Sequence, residues 1–262
     1  MNGITCSKSY PSIDFLRFST IQILKNLLNI EDSNDITLEV RKRSIRTDFH
    51  GSILLKLPIK AKIEAKAMES IGKFDRFRGL IWSINVPPEI SKRAIKAAKD
   101  ILCRFSTNFY VSTDFTRDPV TKNKGKQGCA FGFILYAETK FCKRICSEAN
   151  FVSYNDNDTF DPEKIGINVA SDLLHNLYKK SFVDEINQTL LILKMALSES
   201  HVSSLRLGTL TQESKILMRY LDLFFNHRFI LDIEPIQGNT SHNAYILKCM
   251  GTGYANYNRL LL

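Results

Sequence analysis

The chemistry open to this sequence lies first in its cations. The segment Thr116 to Gln127 holds Arg117, Lys122, Lys124 and Lys126, with Gly125 and Gly128 for flexibility. Such a loop can reach phosphates without reading bases, and a solvated hairpin loop is an equal alternative. A second group, Arg41, Lys42, Arg43 and Arg46, follows a strand-like stretch and leads into Asp48-Phe49-His50-Gly51. Like charges so close repel one another unless something anionic is near, which slightly favours phosphate contact over plain surface charge. These eight residues are the candidate RNA-binding set.

Other chemistries lack their residues. The histidines are His50, His175, His201, His227 and His242, and no two stand three or four apart on a helix, so a zincin-type pair is absent. His50 ends the basic loop and is the one worth testing; His175 is expected to be packed or capping. Six cysteines are scattered without a C-x-x-C pair. Cys142 and Cys146 lack a second Cys or His pair at zinc spacing, so reduced thiols and no metal are expected. Asp184, Glu213 and Asp222 form no recognisable metal set for a nuclease. There is no Walker A, dinucleotide fingerprint or G-x-S-x-G elbow; Gly251-Thr252-Gly253 reads as a strand-end turn. No catalytic residue and no cofactor are nominated.

The elements that must carry these residues follow from periodicity. Helical stripes run through Ile13 to Leu28, Ile90 to Phe105, Val169 to Tyr178, Asn187 to Leu197, and Ile216 to Phe225. The second has Lys92, Arg93, Lys96, Lys99 and Arg104 on its far face, follows Pro87-Pro88, and could be capped by Ser91. Strand signals cover Thr37–Arg41, Ile53–Leu57, Leu80–Val86, Phe109–Thr113, Cys129–Ala137, Phe229–Ile233 and Ala244–Met250, the last two reading as a hairpin. Interleaved strands and helices predict an α/β (α+β) architecture with helices packed on sheets.

At 262 residues and 44% hydrophobic composition, the chain can bury a real core in one large or two modest domains. No apolar run approaches the ~20 residues that span a bilayer, and the start lacks an apolar signal region, so a secreted or membrane protein is not expected. A net charge of +9 makes a polyanion partner a fair expectation. The charged stretch Met68–Gly79 and the acidic stretch Ser153–Lys164 suggest domain boundaries: 1–79, an inserted small α/β domain at 80–150, and 151–262.

Several segments together resemble the RNA 3'-terminal phosphate cyclase family, most closely its non-enzymatic eukaryotic branch. These are Pro11-Ser12-Ile13-Asp14-Phe15 with the following helix, Arg43-Ser44-Ile45, and Gly51-Ser52-Ile53-Leu54-Leu55-Lys56-Leu57-Pro58. Phe77-Arg78-Gly79 with Ile84-Asn85-Val86-Pro87-Pro88 is similar to the entry to that family's inserted domain. Val183-Asp184 with Asn187-Gln188, Leu205-Arg206-Leu207-Gly208, and Lys248-Cys249-Met250-Gly251-Thr252-Gly253-Tyr254-Ala255-Asn256 complete the set. The order and spacing of these pieces span nearly the whole chain.

The resemblance implies repeated βαβα-type units, each a sheet with two helices, plus the inserted domain. It implies a role in processing the 18S rRNA precursor and in small-subunit assembly, in the nucleus and nucleolus. The implied partners are pre-rRNA, a ribosome-assembly GTPase and small-subunit processome proteins, with no membrane. The alternatives are an active ATP-dependent cyclase and a pre-rRNA endonuclease.

Three departures bear on this. Members carry further residues before the Pro11 segment, so an N-terminal unit is expected to be lacking. Phe49-His50-Gly51-Ser52 stands where the family has a glycine-rich turn. The enzymatic branch forms an adenylyl-histidine near a helix start that matches Gly208-Thr209-Leu210-Thr211-Gln212-Glu213-Ser214 here, a stretch without histidine. Imidazole is a neutral nucleophile near pH 7, and Thr, Gln or Ser without an activating base cannot replace it. No cyclase activity is therefore expected, unless His201 or His227 were to swing in.

Overall fold

A computed structural model describes residues 1–7, 10–30, 35–44, 51–70, 72–116, 129–140, 143–153, 160–235 and 243–257. The chain divides into two compact units: Met1–Ile21, Thr37–Leu55 and Lys73–Leu174 form the first, and Gln22–Ile36, Lys56–Gly72 and His175–Leu262 the second. The architecture is mixed α/β, as expected.

The first unit opens with β1 (Asn2–Gly3) and a helical run. Ser12 caps that run, its hydroxyl accepting from the Phe15 N–H. The run starts as α1 (Ile13–Phe15), widens to a π-helical segment (Leu16–Thr20) and ends as α2 (Ile21–Leu27). β2 (Thr37–Lys42) and β3 (Gly51–Lys56) join β1 in a three-stranded sheet ordered β1-β3-β2. Beyond β3 lies the short β4 (Ala67–Met68).

A four-stranded sheet is the body of the first unit. Its elements are β5 (Phe74–Ile84), α3 (Pro88–Leu102), β6 (Phe109–Thr116), β7 (Cys129–Thr139), β8 (Arg144–Ser153) and α4 (Pro162–Tyr178), with strand order β6-β5-β7-β8. β5 and β6 are parallel because α3 carries the chain over between them. β7 lies antiparallel on the other side of β5, so β6 and β7 are not neighbours and the basic loop between them does not close a hairpin.

β7 reads as an unbroken apolar run and is buried from Ala130 to Ala137. Such a run, in place of alternation, marks a strand covered on both faces. Trp82 of β5 lies opposite Gly132 of β7, and a Cβ at Gly132 would stand 2.2 Å from the indole. Gly166 of α4 makes a similar close approach, where a Cβ would stand 2.3 Å from the Ala94 carbonyl of α3. Pro87 and Pro88 start α3, and Ser91 is buried inside the helix instead of capping it.

The second unit holds α5 (Gln188–Ala196), β9 (Val202–Leu207), α6 (Gln212–Phe225), β10 (Phe229–Pro235) and β11 (Asn243–Met250). With β4 they form a sheet ordered β10-β11-β9-β4, and β10 and β11 pair antiparallel as the expected hairpin. Leu191, Ile192, Met195, Leu205, Leu207, Leu221 and Leu247 make its core. Asn226 ends α6 in the left-handed region at φ 50°, a position suited to Asn or Gly.

Candidate nucleic-acid interface

Of the eight cations singled out above, three lie among the described residues. Arg41 and Lys42 end β2 and are exposed. The Arg41 Nε stands 4.0 Å from Glu39, with both side chains largely in solvent. A pair of that kind contributes little and leaves the guanidinium available to a phosphate. Arg46, Arg117, Lys122, Lys124 and Lys126 lie outside the described residues, as does His50.

Arg43 turns inward, which removes it from any surface set. It is buried, and its guanidinium donates to both carboxylate oxygens of the fully buried Asp14. Its Nε and a terminal nitrogen donate to Asp114 on β6, at 3.0 and 2.9 Å. The guanidinium carbon lies 5.5 Å from the centre of the Trp82 ring. Burial alone would depress its pKa, but the hydrogen bonds and charges of Asp14 and Asp114 raise it overall. The cation is therefore fixed as a charge inside the unit, holding helix, strand and indole together.

The groups around it are structural too. Glu148 of β8 accepts from the Ser12 N–H at 3.0 Å and from its hydroxyl at 2.6 Å, so it secures the cap of α1. Burial pushes the Glu148 carboxyl above its ordinary value, despite the bonds from Ser12. The Cys6 thiol is pushed up to about 12, first by burial and then by the charges of Glu148 and Asp14. A thiol so raised is no nucleophile at neutral pH.

The segment 208–214, which the resemblance sets against an adenylylated histidine, is a helix cap in the second unit. Thr211 is the N-cap of α6, accepting from the Ser214 N–H at 3.2 Å. Its hydroxyl donates to the Ser214 hydroxyl at 2.8 Å. The buried Gln188 fastens the turn: its carbonyl accepts from the Thr211 N–H and the Ser214 hydroxyl, and its amide donates to the Thr209 carbonyl at 2.7 Å. Thr209 donates to Glu185, which also holds Lys179 at 2.9 Å. Every hydroxyl in the segment is spent on local structure. The one carboxylate that meets a hydroxyl there is Glu185, at Thr209. In spite of its partial burial, Lys179 and Thr209 hold it below its ordinary pKa, which makes it a weak base.

Neither neighbouring histidine changes this. His201 is exposed just before β9. His227 is buried, its ring 4.8 Å edge-on from Phe229 with Nε2 unbonded, and burial lowers its pKa. His175 is exposed on α4 instead of packed. Among the described residues no group of His, Cys, Asp and Glu could hold a metal ion, and no helix is long and apolar enough to cross a membrane.

Residues 69–178 match the model of the insert domain of RNA 3'-terminal phosphate cyclase, a stretch that begins ahead of β5 and ends with α4. The whole chain aligns at 28% identity with a probable RNA 3'-terminal phosphate cyclase-like protein of Drosophila melanogaster, covering 69% of that protein. Along its whole length the chain is thus similar to RNA 3'-terminal phosphate cyclase-like proteins. The mouse cyclase-like protein is also 28% identical over 262 residues. A Schizosaccharomyces pombe relative, 26% identical over 99% of this chain and 68% of its own length, is named an rRNA processing protein.

Proposed function

We propose that this chain is a non-catalytic factor in processing of the 18S rRNA precursor and small-subunit assembly, acting in the nucleolus. It binds pre-rRNA and an assembly GTPase among the small-subunit processome proteins. The observation that carries this reading is the similarity, along the whole of this chain and 68–69% of theirs, to cyclase-like proteins, one of them named for rRNA processing. The Thr211–Ser214–Gln188 cap supports the non-catalytic half, since a nucleophilic imidazole is replaced there by groups committed to starting α6. The net charge of +9 and the outward Arg41 and Lys42 support the RNA half, as do the cations Arg46, Arg117, Lys122, Lys124 and Lys126.

Affinity purification of the tagged chain from its source cells tests this, with precursor rRNA and processome proteins the expected yield. Recovery of neither overturns it. Incubation with labelled ATP is expected to leave the protein unlabelled; a stable protein–AMP adduct would restore the cyclase reading.

A further inference from the structure

The outer surface of α3 carries cations that the set above does not include. Lys92, Lys96 and Lys99 are exposed, and among the described residues none has an ion-pair partner. At roughly 100° per residue, the three fall within an arc of about 60° and span about 10 Å along the helix. The buried positions Ser91, Ala94, Ala98 and Leu102 lie on the opposite side of the helix. Arg93 differs from the three. It faces α4, donating to both oxygens of Glu163 at 2.6 and 2.9 Å, and is neutralised there.

Two features set this stripe apart from ordinary solubilising charge. Lys92 and Lys96 are like charges at i, i+4, an arrangement that destabilises an isolated helix. The acids on the exposed side, Glu89 and Asp100, adjoin the stripe on its Arg93 side, three residues before Lys92 and four after Lys96, yet among the described residues neither forms an ion pair with a stripe lysine. Lysines on a rigid helix also hold their spacing, whereas those of a loop must be ordered at each encounter.

We infer that the Lys92–Lys96–Lys99 stripe of α3 is a phosphate-docking surface for single-stranded RNA, which gives the inserted unit its own RNA contact. The inference rests on the RNA-binding reading above and adds a surface to it. Ammonium groups act as point charges on phosphates and carry no base selectivity, so the stripe contributes affinity and position, not sequence choice.

The test is fluorescence anisotropy of the full-length chain with a labelled mixed-sequence single-stranded RNA across a salt series. The variant is K92Q/K96Q/K99Q, which keeps good helix formers at exposed positions. Three lost phosphate contacts should make the slope of log K against log salt shallower by about 2 and weaken binding roughly tenfold or more at 0.15 M salt. An arginine triple variant should restore the slope. Unchanged slope and affinity in the glutamine variant, with the wild type binding RNA, overturns the stripe alone. A wild-type chain that binds no RNA overturns the stripe and the RNA-binding reading together. Loss of poly-aspartate binding with RNA binding intact assigns the surface to an acidic protein and also overturns it.

Discussion

Arg43 shows how one side chain's burial decides its work. Its neighbours Arg41 and Lys42 face solvent, while Arg43 is buried against Asp14 and Asp114. Removing one partner from a buried pair leaves an uncompensated charge, at roughly 3–5 kcal/mol. Arg43→Gln is expected to destabilise the protein by about that amount in urea unfolding. Asp114→Asn should cost about 1 kcal/mol, because that carboxylate is 48% exposed and solvent can replace its partner. Equal losses for the two would mean that burial does not govern the network. His227 gives a pH dependence. Burial holds its pKa below the ordinary 6.5, so the unfolded chain takes a proton that the folded chain refuses. Stability should fall as pH drops through 6.5 toward the folded value, and His227→Gln should flatten that slope in melting curves. A slope unaffected by the substitution would place the titration elsewhere.

At the scale of elements, close backbone approaches set how helices and strands meet. Gly166 lets α4 lie on the Ala94 carbonyl, and Gly166→Ala forces the two helices apart. A cost of ~1–3 kcal/mol is expected, read as a lower unfolding midpoint; no change would mean that α4 relaxes freely. The periodic elements were legible in the sequence because each depends on residues a few positions apart: α6 and the β10–β11 hairpin fall where the stripe and alternation put them. What was not legible depends on partners far along the chain. β7 looks like the return strand after β6, yet its hydrogen bonds go to β5 and β8. Arg43 looks like part of a basic run, yet Asp114 meets it from 71 residues away. Ser91 looks like a cap because Ser often caps, but the paired prolines already start α3 and leave that hydroxyl buried. The helix cap at Thr211 was legible as a position without histidine, but not as a turn tied down by Gln188, 23 residues earlier.

For the whole molecule, the path of the chain couples the two units. It passes between them five times, at 21/22, 36/37, 55/56, 72/73 and 174/175. Two of those crossings lie inside helical runs, at the start of α2 and within α4. Melting either unit therefore frays a helix that the other also uses, and one cooperative transition is expected. Trp82, the single tryptophan, is buried in the first unit and reports on it alone, whereas far-ultraviolet dichroism reports on both. Leu247→Ala removes a fully buried side chain from the core of the second unit. It should cost ~2–5 kcal/mol and lower the midpoint by roughly 5–15 °C. If the crossings couple the units, Trp82 fluorescence will shift by the same amount as the dichroism, although the substitution lies in the other core. A Trp82 midpoint that stays in place while the dichroism splits into two steps would show that each core melts by itself.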